Sequence, residues 1–273
     1  MTENLKEKAA KGIMWKFLEQ GGTQIIQFVA AIFIARILSP QDYGLVGMLA
    51  IFIAISTVFV DGGFKATLIQ KGNETTSDDY NVVFLFNVGI SILIYSLLFF
   101  CAPLIAQFFN EPRLIMITRV LGINLIISSF GIIHSVTFEK RLNFRTLSKI
   151  KIISISVSVC TGLILALKGY GVWALVFMTL SGSLTTTTLL WIVNRWYPNF
   201  SFNVKAFKSM FSNGGNILLS GLIQQVYFNV YSFAIGKFFT AAYVGFYSQG
   251  KKLQSSIGDF IMLSIQNVMF PVQ

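Results

Sequence analysis

The chain has 273 residues, of which 54% are hydrophobic, 15% aromatic and 12% charged, and its mean hydropathy is +0.69. A soluble domain carries about 25% charged residues, so this chain could not clothe a water-facing surface. Disorder, a coiled coil and a disulfide-built scaffold are excluded with it, which leaves an integral membrane protein of many spans. The net charge of +10, from 21 basic and 11 acidic side chains, then reads as basic cytoplasmic loops and not as a nucleic-acid surface.

The chain opens on a polar, charged stretch, Met1–Lys11, and an amphipathic helix is expected over Lys6–Gln20. No cleavable signal is expected, because the first apolar run continues to span length. Runs free of Asp, Glu, Lys and Arg then follow: Gln20–Ala35, Tyr43–Val60, Tyr80–Asn110, Val120–Phe138, Ile152–Leu167, Gly169–Asn194 and Ser209–Gly236. An eighth, Tyr243–Val272, is interrupted by Lys251, Lys252 and Asp259. Lengths near 20 apolar residues predict transmembrane helices. The runs are too long and too little alternating for barrel strands. Cys101 and Cys160 fall in apolar runs and read as buried small hydrophobes. With the N-terminus in the cytoplasm, fourteen of the 21 basic residues fall in cytoplasmic segments, with the strongest bias in Phe138–Lys151. The opposite connections (LSPQD, FFNEPR, LKGYG) are short, so the spans form tight hairpins.

Two passages repeat weakly at an offset of 201 residues: ARILSPQDYGLVGM (Ala35–Met48) and GKFFTAAYVGFYSQ (Gly236–Gln249). Arg36 then pairs with Lys237, Ser39 with Thr240, Gly44 with Gly245 and Gln24 with Gln225. A six-helix unit repeated in parallel is a transporter plan that places a substrate site between the halves. The expectation is therefore an all-α, polytopic transmembrane bundle. Residues 1–200 form one six-helix lobe, and residues 201–273 the first two helices of a second. A complete second lobe would need about four more spans of ~20 residues, so the chain is expected to be a piece of a longer protein.

Several passages taken together resemble polysaccharide and O-antigen flippases of the multidrug/oligosaccharidyl-lipid/polysaccharide exporter superfamily. They are KGIMWKFLEQGGTQIIQFVAAIFIARILSPQDYGLVGM, FVDGGFKATLIQK, FEKRLNFRTLSKI, GYGVWAL, IGKFFTAAYVGFYSQGKKL and NVMFPV. The resemblance covers essentially the whole chain. It implies two lobes around a cavity and a non-enzymatic secondary transporter of a bacterial inner membrane. The implied cargo is an oligosaccharide on polyprenyl pyrophosphate, moved from the cytoplasmic to the periplasmic leaflet for O-antigen, capsule or exopolysaccharide synthesis. Membrane lipids and the polysaccharide polymerase machinery are the expected partners, with no cofactor, metal or nucleic acid. The alternatives are a multidrug exporter of the same superfamily and an inactive fragment.

Ionisable residues within spans are costly and so mark candidate sites. Arg36, at the outer end of the first span, could contact phosphate, or else snorkel to the interface. Lys237 is its repeat mate, and Arg119 sits near the outer start of the fourth span. Lys251 and Lys252 make the eighth span cationic. In the family the first helix of each lobe borders the cavity, so Gln24, Gln27, Gln225 and Asn229 are candidates for sugar hydroxyls, or for bonds between helices. Asp61 and Lys65 stand four residues apart, a spacing for one helix face and an ion pair. With Asp259 they are the candidates for ion coupling or gating. His134 reads as interfacial, near Glu139. GFYSQGKK, Gly245–Lys252, falls one residue short of a phosphate-binding loop because Lys252 stands where Ser or Thr is needed.

Overall fold

The computed structural model describes residues 2–199, 203–252 and 254, and the described residues are helical with no strand. The helices follow the apolar runs. They are α1 (Thr2–Ile37), α2 (Pro40–Asp61), α3 (Phe64–Gln70), α4 (Ser77–Phe109), α5 (Leu114–Lys140), α6 (Phe144–Leu167), α7 (Val172–Val193) and α8 (Val204–Phe238). A further helix, α9, occupies residues 241–252. Five units are long and apolar enough to cross a membrane: α2 with α3, then α4, α5, α6 and α7. The chain is thus an all-α multi-pass membrane bundle. The runs expected as the first and seventh spans fall in the helices α1 and α8, of 36 and 35 residues, which are not among those five. Both are more polar than the other five.

Local chemistry sets the helix ends. Ser39 caps α2 through the Asp42 N–H, and Asp42 returns the bond to the Ser39 N–H at 3.0 Å, with Pro40 in the first turn. Each such cap is worth about 1 kcal/mol. Thr76 and Asp79 repeat the arrangement at the start of α4. Between these caps α2 breaks at Gly62 and Gly63, whose φ values of +56° and +72° favour glycine. The break separates Asp61 from Lys65, so the helix face expected to carry both does not exist.

α4 packs on α5, α6 on α7 and α1 on α6, while α5 lies against α7 and α2 against α8. One core joins Leu45, Met48 and Leu49 of α2 to Ile105 and Phe109 of α4, Ile117 of α5, Val176 of α7, and Ala241 and Val244 of α9. A second joins α1, α6 and α7 through Ala30, Ile34, Val159 and Ala174. A third gathers Phe64, Leu68, Phe84, Ile133 and Met210 at the end bearing the break. The outward faces are apolar too: Phe100, Leu104, Leu167 and Ile192 are all exposed. That is the surface of a bundle solvated by lipid. It also corrects the reading of Cys160, which is exposed, while Cys101 is half-buried. In lipid an apolar residue has no reason to face inward.

His134 is corrected in the other direction. It is fully buried, its Nδ1 lies 3.1 Å from the Asn194 amide nitrogen, and its ring stands 4.5 Å from Trp191. The segment after α7 folds back over this end of the bundle and takes the histidine away from the interface.

Candidate functional site

Among the described glycines, the tightest backbone approaches lie where α2 crosses α9. A Cβ built on Gly44 would lie 1.6 Å from the Ala241 carbonyl oxygen, and one on Gly245 would lie 1.9 Å from the Pro40 carbonyl oxygen. Neither position can hold a side chain at this separation. The two contacts are reciprocal, since 40 and 241, like 44 and 245, differ by the repeat offset of 201. Gly47 faces its own counterpart, with a Cβ there lying 2.7 Å from Ser248 Oγ. That is the pattern of a local twofold passing between the two helices.

Beside this crossing lies a cavity of about 510 Å³ bounded by α2, α6, α7, α8 and α9. Its polar lining consists of hydroxyls and amides from Tyr43, Ser158, Thr179, Asn229, Ser232, Ser248 and Gln249, together with Lys251 and Lys252. No carboxylate lines it among the described residues. Ser158 donates to the Met178 carbonyl at 2.6 Å, tying α6 to α7 at the wall. The amide nitrogen of Gln249 is buried without a hydrogen-bond partner. Lys251 Nζ donates to the Phe228 carbonyl and stands 5.8 Å from that ring's centroid. Asn229 Nδ2 donates to the Gln225 carbonyl at 2.9 Å and approaches its side-chain oxygen at 3.4 Å.

The structure therefore gathers Asn229, Lys251 and Lys252 at one cavity, with Gln225 one helical turn behind. The other candidates lie elsewhere. Gln24 and Gln27 are on α1, outside the lining, and Arg36 is exposed at the end of that helix. Lys237 Nζ donates to the Phe108 carbonyl at 3.0 Å and sits 4.1 Å from the Phe108 ring centroid. The Arg119 guanidinium covers the Phe99 ring at 4.2 Å, and its Nε donates to the Phe99 carbonyl at 3.4 Å. Both cations thus stand on α4. At the far end Lys65 pairs with Glu139 at 2.8 Å and not with Asp61. The Asp61 carboxylate accepts the Lys65 backbone N–H, beyond the glycine break. Asp259 lies outside the described residues.

Sequence reasoning missed Tyr43, Ser158, Thr179, Ser232, Ser248 and Gln249. Three of these, Tyr43, Ser248 and Gln249, lie within the two repeated passages, which are the signal that could have found them. Ser158 and Thr179 sit in apolar runs with nothing to distinguish them from packing hydroxyls.

A family described as "polysaccharide biosynthesis protein" matches residues 33–273. The chain is similar to the teichuronic acid biosynthesis protein TuaB of Bacillus subtilis (strain 168), 27% identical over 98% of this chain and 56% of that protein. It is similar to the succinoglycan biosynthesis transport protein ExoT of Rhizobium meliloti (strain 1021), 23% identical over 99% of this chain and 55% of that one. A third relative is the lipopolysaccharide biosynthesis protein WzxC of Escherichia coli (strain K12), 20% identical over 90% and 50% of the two chains. The chain spans about half the length of the curated relatives it matches. No solved structure matches it.

Proposed function

Since this chain belongs to the polysaccharide biosynthesis protein family, we propose that it forms the first lobe and the start of the second in a membrane transporter of lipid-linked oligosaccharide. The transporter turns a sugar chain on polyprenyl pyrophosphate from the cytoplasmic to the outer leaflet of a bacterial inner membrane, with the N-terminus in the cytoplasm. The observation that carries this reading is the cavity beside the α2–α9 crossing. It combines two lysines with a wall of neutral hydroxyls and amides, and has no lining carboxylate among the described residues.

That lining suits the cargo's chemistry. A diphosphate cannot enter hydrocarbon unaided, and ammonium groups in a water-filled recess offset the loss of its hydration. Neutral donors and acceptors, Tyr43, Asn229, Ser248 and Gln249, match sugar hydroxyls, while the prenyl tail stays in lipid beside the bundle. The reciprocal contacts at 40/241 and 44/245 support a two-lobe plan, in which the site lies between halves that rock against each other. Exporters of cationic drugs need anionic groups in the cavity, and this lining supplies none among the described residues.

The test is native mass spectrometry of the detergent-purified chain with polyprenyl-pyrophosphate oligosaccharide and, separately, a lipophilic cation. Retention of the pyrophosphate lipid, weakened about tenfold or more by Lys251→Gln with Lys252→Gln, is expected; a lost charge-assisted bond is worth about 1.5–3 kcal/mol. Retention of the cation alone would overturn the proposal in favour of drug export.

A further inference from the structure

A second cavity, of about 470 Å³, opens at the opposite end of the bundle, among the end of α3, the start of α4, the end of α5 and the segment after α7. Thr75, Tyr80, Thr137, Glu139, Lys140, Arg141 and Trp196 are its polar and aromatic walls. We propose that it binds the phosphate of an anionic phospholipid from the adjoining leaflet. The site is separate from the transport cavity and independent of the reading given for it.

The argument rests on which charges are already committed. One carboxylate, Glu139, lines the recess and a second, Asp79, stands beside it, and each has a lysine: Glu139 with Lys65 at 2.8 Å and Asp79 with Lys71 at 3.0 Å. Asp79 is also occupied by the α4 cap, where it accepts the Thr76 N–H at 2.9 Å. Among the described residues no carboxylate stands within ion-pair distance of Lys140 or Arg141, although Asp79 is near enough to act on Lys140 electrostatically. Lys140 Nζ turns inward, donates to Thr75 Oγ1 and stands 5.4 Å from the Tyr80 ring centroid. A snorkelling lysine would point outward to water. Arg141 is exposed at the rim, with all its donors available to a ligand.

Nor are these cations needed to finish α5. Leu142 takes a left-handed conformation, with φ at +53°. The N–H groups of Arg141, Leu142 and Asn143 close on the carbonyls of Thr137, Glu139 and Phe138. The helix end is therefore satisfied by backbone alone, and the Lys–Arg pair projects from it as a surplus.

The remaining walls fit a headgroup. Trp196 lies 6.4 Å from Tyr80, ring to ring, and such aromatics favour the headgroup level of a bilayer. The Trp196 segment is held against α4 by the Asn199 N–H on Asn81 Oδ1 and by Asn203 on Asp78, both at 3.0 Å. A lysine, an arginine fork, a hydroxyl and a tryptophan around one recess at a bundle end are the groups that take a phosphodiester. Ile69 and Leu142 at the same recess leave an apolar side for the glycerol and upper acyl chain.

The chain is purified in detergent and titrated with phosphatidylglycerol, with phosphatidylcholine and with inorganic phosphate, and adducts are counted by native mass spectrometry. Retention of phosphatidylglycerol over phosphatidylcholine is expected. Lys140→Gln with Arg141→Gln should weaken it about 30-fold, since each basic residue near an anionic surface contributes roughly five- to sixfold. The charge-preserving exchange Lys140→Arg with Arg141→Lys should restore most of it. If the double variant does not fold, the exposed Arg141→Gln alone should still weaken retention about fivefold. Equal retention by the parent and the neutralised variants would overturn the site. Saturable binding of inorganic phosphate that displaces the lipid at similar concentration would overturn the lipid as its occupant.

Discussion

The α2–α9 crossing supplies a demanding test, because its tolerance is set by backbone and not by a movable side chain. In Gly44→Ala the new methyl would fall 1.6 Å from the Ala241 carbonyl oxygen. Ordinary contact needs about 3.5 Å, so the helices must part by roughly 2 Å. That separation opens the packing of Leu45, Met48 and Leu49 on Ala241 and Val244, all buried in one core. Overpacking of this kind costs about 1–3 kcal/mol, a fall in Tm of roughly 2–12 °C for a chain of this size. The control is Gly89→Ala, where nothing lies within 4 Å of the new carbon. There the helical preference for alanine should give a gain of up to about 1 kcal/mol. Gly245→Ala should cost as much as Gly44→Ala, since its methyl would meet the Pro40 carbonyl at 1.9 Å. The double variant should cost well under the sum, because one separation relieves both clashes. Thermal unfolding in detergent, followed by tryptophan fluorescence, reads all four proteins. A Gly44→Ala protein as stable as Gly89→Ala, or full additivity of the two costly changes, would refute the crossing as described.

Two further outcomes follow from the same structure. Asn194→Ala removes the donor to His134 Nδ1, and Nε2 of that buried ring already has no partner; a loss of about 1–3 kcal/mol is expected, and an unchanged Tm would show that the pair does not hold this end together. Single cysteines at the exposed positions Arg141→Cys and Lys168→Cys, with Cys101 and Cys160 replaced by serine, report the orientation. A membrane-impermeant thiol reagent added outside should label the second and not the first, and the reverse pattern would invert the proposed topology.

The helices were legible because a lipid-spanning helix must be both long and apolar, and charge-free runs such as Val120–Phe138 and Gly169–Asn194 mark α5 and α7 directly. The glycine pair at 62 and 63 was legible as a motif, but its effect was not. The spacing of Asp61 and Lys65 suggests one helix face only while the helix is taken as continuous. The site was legible in part, for a physical reason. In water the apolar stripe of a helix reveals which face is buried, whereas in lipid both faces are apolar and the stripe disappears. Nothing in the runs could therefore say that Ser158 and Thr179 turn toward a cavity while Gln24 and Gln27 do not. Charged residues stood out in sequence, and that led to Lys237 and Arg119, which in the structure rest on Phe108 and Phe99 of α4.

Those two cations show how the same residue type divides between jobs. Phe108 is one residue from the end of α4, where carbonyls lack an onward helical partner and the helix dipole is negative. The Lys237 ammonium meets that carbonyl and the adjoining ring at once, so α8 is fastened to the end of α4. Arg119 does the same from α5 against Phe99. Each bond uses a charge to hold one helix on another. Lys251 also reaches a carbonyl, that of Phe228, yet its surroundings differ, because it lines an open recess beside hydroxyls and amides. A carbonyl is a weaker partner for an ammonium group than a phosphate oxygen is. An incoming diphosphate would therefore gain more from Lys251 than Phe228 loses. Lys237 is not among the residues that line this recess. The repeat relates Arg36 to Lys237 by position, but in the structure Arg36 is exposed at the end of α1 while Lys237 is fastened to the end of α4.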